Sequence, residues 1–217
     1  MLLRAPGVYR PQDDTGLLTE VIVDSGMAVG RRVLDVGTGS GALALAAARA
    51  GAAEVTAVDL SLRSVLATRL NSRLHGLRVR VRRGDLFAPV AGERFDLVVA
   101  NPPYVPSPME RLPRHAVGRC WDGGPDGRAV VDRICRTVPR VLADGGRLVM
   151  VHSAVSGTDA TLAALAEAGL TATVLARATV PFGPVMRARA AHMHALGLVA
   201  PDEDVEELVV IGAHHAA

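Results

Sequence analysis

The chain has 217 residues, 49% apolar and 21% charged, so it can bury one full core and is too hydrophobic for wholesale disorder. All 24 cationic residues are arginine, which excludes a Schiff-base lysine, a pyridoxal-phosphate anchor and a P-loop lysine. A net charge of +2 does not by itself imply nucleic-acid binding, and Cys120 and Cys135 form no CxxC pair or Cys/His cluster, so no metal site or disulfide framework is expected.

The segment "MLLRAPGVYRPQDD" has no apolar leader, and no run is long enough to span a membrane, which predicts a cytoplasmic protein. Residues 1–30 read as a helical lead-in. "RRVLDVG" (31–37) reads as a strand and "GALALAAARAG" (41–51) as a helix. "EVTAVDLS" (54–61) is a strand, "LRSVLATRLNSRLHG" (62–76) a helix and "LRVRVRRGD" (77–85) a strand. "RFDLVVANPP" (94–103) is the fourth strand, and residues 126–142 are expected to be helical despite Pro139. "GGRLVMVHS" (145–153), "DATLAALAEAG" (159–169) and "LTATVLARATV" (170–180) continue as strand, helix, strand. An insertion at 181–201 precedes the final strand, "EELVVIGAHH" (206–215), whose His214 and His215 are expected to fray.

Strands alternating with helices of this length predict a single α/β domain: a doubly wound, seven-stranded Rossmann-like sheet, its last two strands free to pair antiparallel. In such sheets ligands bind at the carboxyl ends of the strands, near the switch point. The candidate motifs fall at those ends. Gly37, Gly39 and Gly41 in "VLDVGTGSGALALAA" follow G-x-G-x-G spacing rather than the dinucleotide G-x-G-x-x-G. Asp35 precedes that turn, where an acid suits a cationic ligand. Asp59 ends the second strand, where a carboxylate can bind ribose hydroxyls, and Asp85 and Leu86 end the third.

With these motifs the chain resembles the class I S-adenosylmethionine methyltransferases. The resemblance implies S-adenosyl-L-methionine as cofactor and S-adenosyl-L-homocysteine as product. It implies that Asp35, Gly37, Thr38, Gly39 and Gly41 wrap the amino-acid part, Asp59 and Leu60 meet the ribose, and Asp85 and Leu86 approach the adenine. The fourth strand of that family faces the sulfonium methyl group, and here it ends in Asn101-Pro102-Pro103-Tyr104. An amide nitrogen is a weak nucleophile that has to be aimed. The Asn101 side-chain oxygen and the Pro102 carbonyl can grip its N–H bonds, proline keeps the corner stiff, and Pro103 and Tyr104 offer a wall and a ring face. Asn101, Pro102 and Tyr104 are thus the candidate catalytic residues, and Asn101 also faces the cofactor. The motif signals a planar exocyclic nitrogen as methyl acceptor, in protein glutamine, in adenine or cytosine, or in a small biosynthetic amine or amide.

"GVYRPQDDTGLLTEVI" (7–22) resembles the lead-in of the HemK family, and "WDGGPDG" (121–127) resembles the loop after its N-P-P-Y strand. That family methylates the glutamine of the Gly-Gly-Gln loop in release factors. The match is to the short branch without the N-terminal helical substrate domain. It implies a protein substrate, a translation release factor, and has Tyr9, Pro11, Asp14 and Thr15 closing over the cofactor. Recognition falls to residues 104–125, to the lid-like insertion 181–201, or to a partner. The short branch also works with a small zinc-binding activator subunit docked on a sheet edge. Arg78, Arg80 and Arg82 on one face of the third strand do not indicate such a surface; they read as a solvated, self-protected edge.

Overall fold

Alternate residues of each central strand face opposite layers, because successive side chains of a strand point to opposite sides. Val33, Val55, Leu97, Val99, Val149 and Val151 enter one buried cluster, and Leu34, Val36, Val58, Val98, Leu148 and Met150 the other. A sheet buried on both faces needs helices on both, and the computed structural model, which describes residues 2–3, 7–108 and 120–215, shows them.

The strands are β1 (Arg32–Val36), β2 (Glu54–Asp59), β3 (Arg80–Arg83), β4 (Phe95–Ala100), β5 (Leu142–Ser153), β6 (Leu170–Pro181) and β7 (Val205–His215). They lie in the order β3-β2-β1-β4-β5-β7-β6, parallel from β3 through β5, with β7 antiparallel to both β5 and β6. The expected antiparallel end is therefore present. The helices are α1 (Asp13–Asp24), α2 (Ala42–Arg49), α3 (Leu62–Leu74), α4 (Val131–Thr137), α5 (Thr158–Glu167) and α6 (Pro184–Ala195). Ser61 caps α3 by accepting from the Ser64 N–H, and Pro184 opens α6 where its missing N–H costs nothing. Among the described residues no helix is long and apolar enough to cross a membrane.

Two expectations change, and the β3 edge has a neighbour the sequence did not announce. The helix expected over 126–142 is shorter: α4 ends at Thr137, Val138–Arg140 form a 3-10 turn, and β5 begins at Leu142. Pro139 lacks the N–H that would continue the helix, and residues 126–130 are taken up by a turn. The C-terminal histidines do not fray. His214 pairs with Arg147 and Thr171, and His215 with Leu170. The β3 edge carries its arginines in ion pairs, Arg80 with Glu54 and Glu93, and Arg82 with Glu93. Beside that edge, however, α3 exposes Leu62, Leu66, Leu70 and Leu74, each between 47% and 60% accessible, so the charged strand is flanked by an apolar stripe.

The strand order reverses between β1 and β4, the switch point of the sheet. There Val36 pairs with Ala100, so the turn that begins at Gly37 and the corner that begins at Asn101 leave the sheet side by side.

Candidate active site

A cavity of about 750 Å³ opens over the carboxyl ends of β1, β2, β3 and β4. Tyr9, Pro11, Thr15, Gly37, Thr38, Gly39, Asp59, Leu60, Asp85, Leu86, Asn101, Pro102 and Pro103 stand in its wall, so most of the nominated residues converge there.

The glycine turn is held from beneath. On α3, the fully buried Thr68 donates to the Gly39 carbonyl (3.0 Å), and the fully buried Asn71 donates to the Ser40 carbonyl (2.8 Å). Gly41, at φ +89°, lies outside the cavity wall; a Cβ there would meet Thr68 Cγ2 at 2.9 Å, so this glycine serves helix packing. Asp35 also lies outside the wall, wholly buried. Its Oδ2 accepts from the Thr38 hydroxyl (2.6 Å) and from the Ala44 N–H (3.0 Å), tying the turn to the first turn of α2, while Oδ1 is buried without a partner. Burial pushes its carboxyl up to about 7, against the pull of the hydrogen bonds from Thr38 and Ala44.

Asp59 accepts from the Gly39 N–H (2.9 Å) and the Ser61 N–H (2.8 Å), one on each oxygen, which leaves lone pairs on both. Burial raises its carboxyl above the ordinary range, opposed by hydrogen bonds from Ser61 and Gly39. Asp85 accepts from Arg133 (2.6 Å) on α4, and Leu86, the one non-glycine residue at positive φ (46°) among those described, holds its backbone in a sparsely populated conformation at the cavity wall.

On the far side of Asn101 lies a second pocket of about 60 Å³, bounded by Tyr9, Asp13, Asp14, Asn101 to Val105, Trp121, Val180, Pro181, Gly183 to Met186 and Glu206, with some neighbours. The N-cap of α1 is Gln12, so Asp14 and Thr15 fall in its first turn and are free for other work. The buried Asp14 accepts from the Tyr9 hydroxyl (2.5 and 2.6 Å), the Tyr104 hydroxyl (3.1 Å) and the Thr15 N–H (2.5 Å). Burial first, then the Asp14 charge, raise both tyrosine hydroxyls, so they remain donors. The Thr15 hydroxyl also donates to Asp14 (3.2 Å) and accepts from Asn101 Nδ2 (3.1 Å). With its proton directed to Asp14, Thr15 can only accept from Asn101. The Asn101 amide is thereby oriented with one Nδ2 hydrogen given to Thr15 and Oδ1 left as an acceptor.

The segment "WDGGPDG" backs this corner. Val105 N–H donates to the Trp121 carbonyl, Gly123 N–H to the Val105 carbonyl, and Ser107 N–H to the Gly124 carbonyl, all at 2.9 Å. A Cβ at Gly127 would sit 2.3 Å from the Tyr104 carbonyl oxygen, so only glycine lets the loop approach. Tyr9 and Trp121 pack edge to face with centroids 4.9 Å apart, bringing the lead-in onto this loop. The insertion becomes α6, seated by buried Phe182, Met186 and Met193, and Arg189 latches it to Asp122 and to the carbonyls of Val105 and Pro106. The nominated recognition segment 104–125 falls partly outside the described residues, at 109–119. No motif marks Thr68, Asn71 or Glu206, and the lid-like insertion does not show in sequence what Arg189 holds. Only Glu206 left a trace, as an acid at the mouth of an apolar strand.

Residues 2–112 match the family model described as "Methyltransferase small domain". A Methanocaldococcus jannaschii chain provisionally named a protein N5-glutamine methyltransferase is 32% identical over 181 residues, 83% of this chain and 90% of that one. A release factor glutamine methyltransferase of Gloeobacter violaceus is 38% identical over 161 residues, 70% of this chain but 56% of the relative, so the chain spans little more than half of that longer protein. Among solved structures, the E. cuniculi Mtq2–Trm112 complex, responsible for methylation of the translation termination factor eRF1, superposes with a TM-score of 0.68 at 24% identity, over 97% of this chain and 99% of that one, which speaks to the fold. The chain belongs to the methyltransferase small domain family and, within it, to the HemK-type enzymes that use S-adenosylmethionine.

Proposed function

We propose that this enzyme methylates the side-chain amide nitrogen of a protein glutamine, of the kind carried by the Gly-Gly-Gln loop of a translation release factor in the cytoplasm. The observation that carries the reading is the relay from Asn101 through Thr15 to Asp14, which fixes Asn101 Oδ1 as an acceptor at the mouth of the acceptor pocket. A primary amide brings N–H donors to that acceptor and to the Pro102 carbonyl. Held so, its nitrogen lone pair is aimed rather than left to tumble, and aiming is where most of the rate comes from for a weak nucleophile.

The residues present fit the cofactor. The cavity of about 750 Å³ lies in the range of small-molecule sites, roughly 300–1,000 Å³. Asp59 keeps free lone pairs for ribose hydroxyls, and the unpartnered Oδ1 of Asp35 puts an uncompensated acceptor beneath the turn. Asp59 and Leu60 would hold the ribose, Asp85 and Leu86 the adenine, and Gly37, Thr38 and Gly39 the amino-acid end, with Asp35 and Gly41 shaping the turn. Tyr9, Pro11 and Thr15 would close the cavity from the lead-in. S-adenosylmethionine supplies an electrophilic methyl group on a sulfonium.

The wall of the acceptor pocket holds Asp13, Asp14 and Glu206 and, among the described residues, no arginine or histidine. That field favours a neutral, N–H-bearing group that gains positive charge on methylation, and repels a carboxylate or a phosphate-flanked base. It supports an amide over a nucleic-acid acceptor, in keeping with the relatives named for glutamine methylation. Incubating the protein with methyl-labelled S-adenosylmethionine and a release factor carrying Gly-Gly-Gln, or Gly-Gly-Ala in its place, tests this. Label is expected on the first alone, and equal labelling of both contradicts the assignment.

A further inference from the structure

Glu206 holds neither the cofactor cavity nor the relay behind Asn101. It lies near the start of β7, and because β7 runs antiparallel to β5, that start reaches the same edge of the sheet as the carboxyl ends of the parallel strands. Glu206 therefore enters the acceptor pocket together with Asn101, Pro102 and Tyr104. It is 7% exposed, and its Oε2 is buried without a hydrogen-bond partner. A buried acceptor of this kind costs free energy unless something brings a donor to it. Burial, then the charges of Asp14 and Asp13, push its carboxyl up to about 7, against the pull of the Ser153 hydroxyl.

An amide nitrogen that gains a methyl group must lose a proton. Asn101 Oδ1 and the Pro102 carbonyl can hold an N–H but cannot keep its proton at neutral pH. Tyr9 and Tyr104 are held protonated. Asp14 already accepts from Tyr9, Tyr104 and Thr15, and Asp13 is exposed to water. Among the described residues of this pocket, Glu206 is the buried acid with an acceptor oxygen to spare.

We propose that the Glu206 carboxylate is the proton acceptor of the methyl transfer. The inference rests on the amide-acceptor reading above. The nitrogen lone pair forms the N–C bond as the S–C bond breaks, the electron pair of that bond staying on sulfur. The N–H bond then breaks, its pair returning to nitrogen and its proton passing to Glu206, which gives the proton to water as the product leaves. The titratable groups that share the pocket with Glu206 are Asp13 and Asp14 from α1, with Tyr9, Tyr104 and the Cys120 thiol, which burial pushes up to about 11. The neighbouring β6 and α6 bring Val180, Pro181, Val185 and Met186, and none of these titrates.

The test is kcat of the whole protein on a Gly-Gly-Gln release factor, at saturating S-adenosylmethionine, across a pH range centred near 7. Wild type is expected to gain rate as pH rises through that point and then level off. Glu206→Gln is expected to lose about 10²–10⁴-fold of the plateau rate and the pH-dependent rise together, with cofactor affinity unchanged and a thermal midpoint no lower than wild type. Glu206→Asp should restore the rise in part. A Glu206→Gln enzyme that keeps the rise and most of the rate overturns the proposal, as does a wild-type kcat flat across the range, which requires no variant. Wild type that transfers no methyl group to the glutamine at any pH overturns the amide reading and this step with it. Active wild type alongside an equally active Glu206→Gln overturns this step alone.

Discussion

The two ends of the cleft are assembled differently. The cofactor end uses β1, β2 and β3, and its working groups sit within a few residues of the strand that delivers them: the glycine turn follows Val36 directly, Asp59 ends β2, and Asp85 lies two residues past β3. The acceptor end depends on residues far apart in the chain. Asn101 meets Thr15 across 86 positions, Tyr104 meets Asp14 across 90, and Glu206 comes from the last strand. The first end is a local design repeated strand by strand. The second exists only once α1, the β4 corner and β7 have docked, so it is the end where acceptor choice can change without disturbing cofactor binding.

That separation can be broken or sharpened in solution. Asn101→Ala should remove the aimed acceptor and cost about 10²–10³-fold in kcat, as loss of a positioned hydrogen-bonding group does elsewhere, while calorimetric affinity for S-adenosylmethionine stays near wild type. If cofactor binding collapses as well, the two ends are not separable. Asp59→Ala should do the opposite, weakening cofactor affinity by about 10–100-fold through loss of charge-assisted hydrogen bonds, with kcat at saturating cofactor nearly unchanged. Thr15→Val removes the acceptor that orients the Asn101 amide. A fall in kcat of about 10-fold is expected, with recovery in Thr15→Ser; an unchanged kcat means that Asn101 needs no relay.

The same division governs what could be read before the fold was known. The cofactor end was legible because each of its signals, a G-x-G-x-G turn or an acid closing an apolar run, is contained in a few consecutive residues. Even there Asp35 and Gly41 carried a second meaning. Both spacings fit a ligand cradle, yet Asp35 is buried beneath the turn, bonded to Thr38 and to Ala44 of α2, and Gly41 packs against Thr68, a contact that only the docking of α3 creates. At the acceptor end Asn101 to Tyr104 was legible as a stiff corner, but the direction in which the Asn101 amide points was not, because Thr15 and Asp14 determine it from another helix. Pro139 cut short a helix that the apolar pattern carried further, and pairing with β5 and β6 ordered His214 and His215 at a chain end that composition alone would leave loose.

The most direct test of the account is to locate the transferred methyl group by fragment mass spectrometry of a Gly-Gly-Gln release factor after incubation with this enzyme and S-adenosylmethionine. The account predicts a single methyl group on the glutamine side-chain nitrogen, stable to mild alkali and lost with Asn101→Ala. A methyl group on any other atom, above all an alkali-labile ester on a carboxylate, would contradict it.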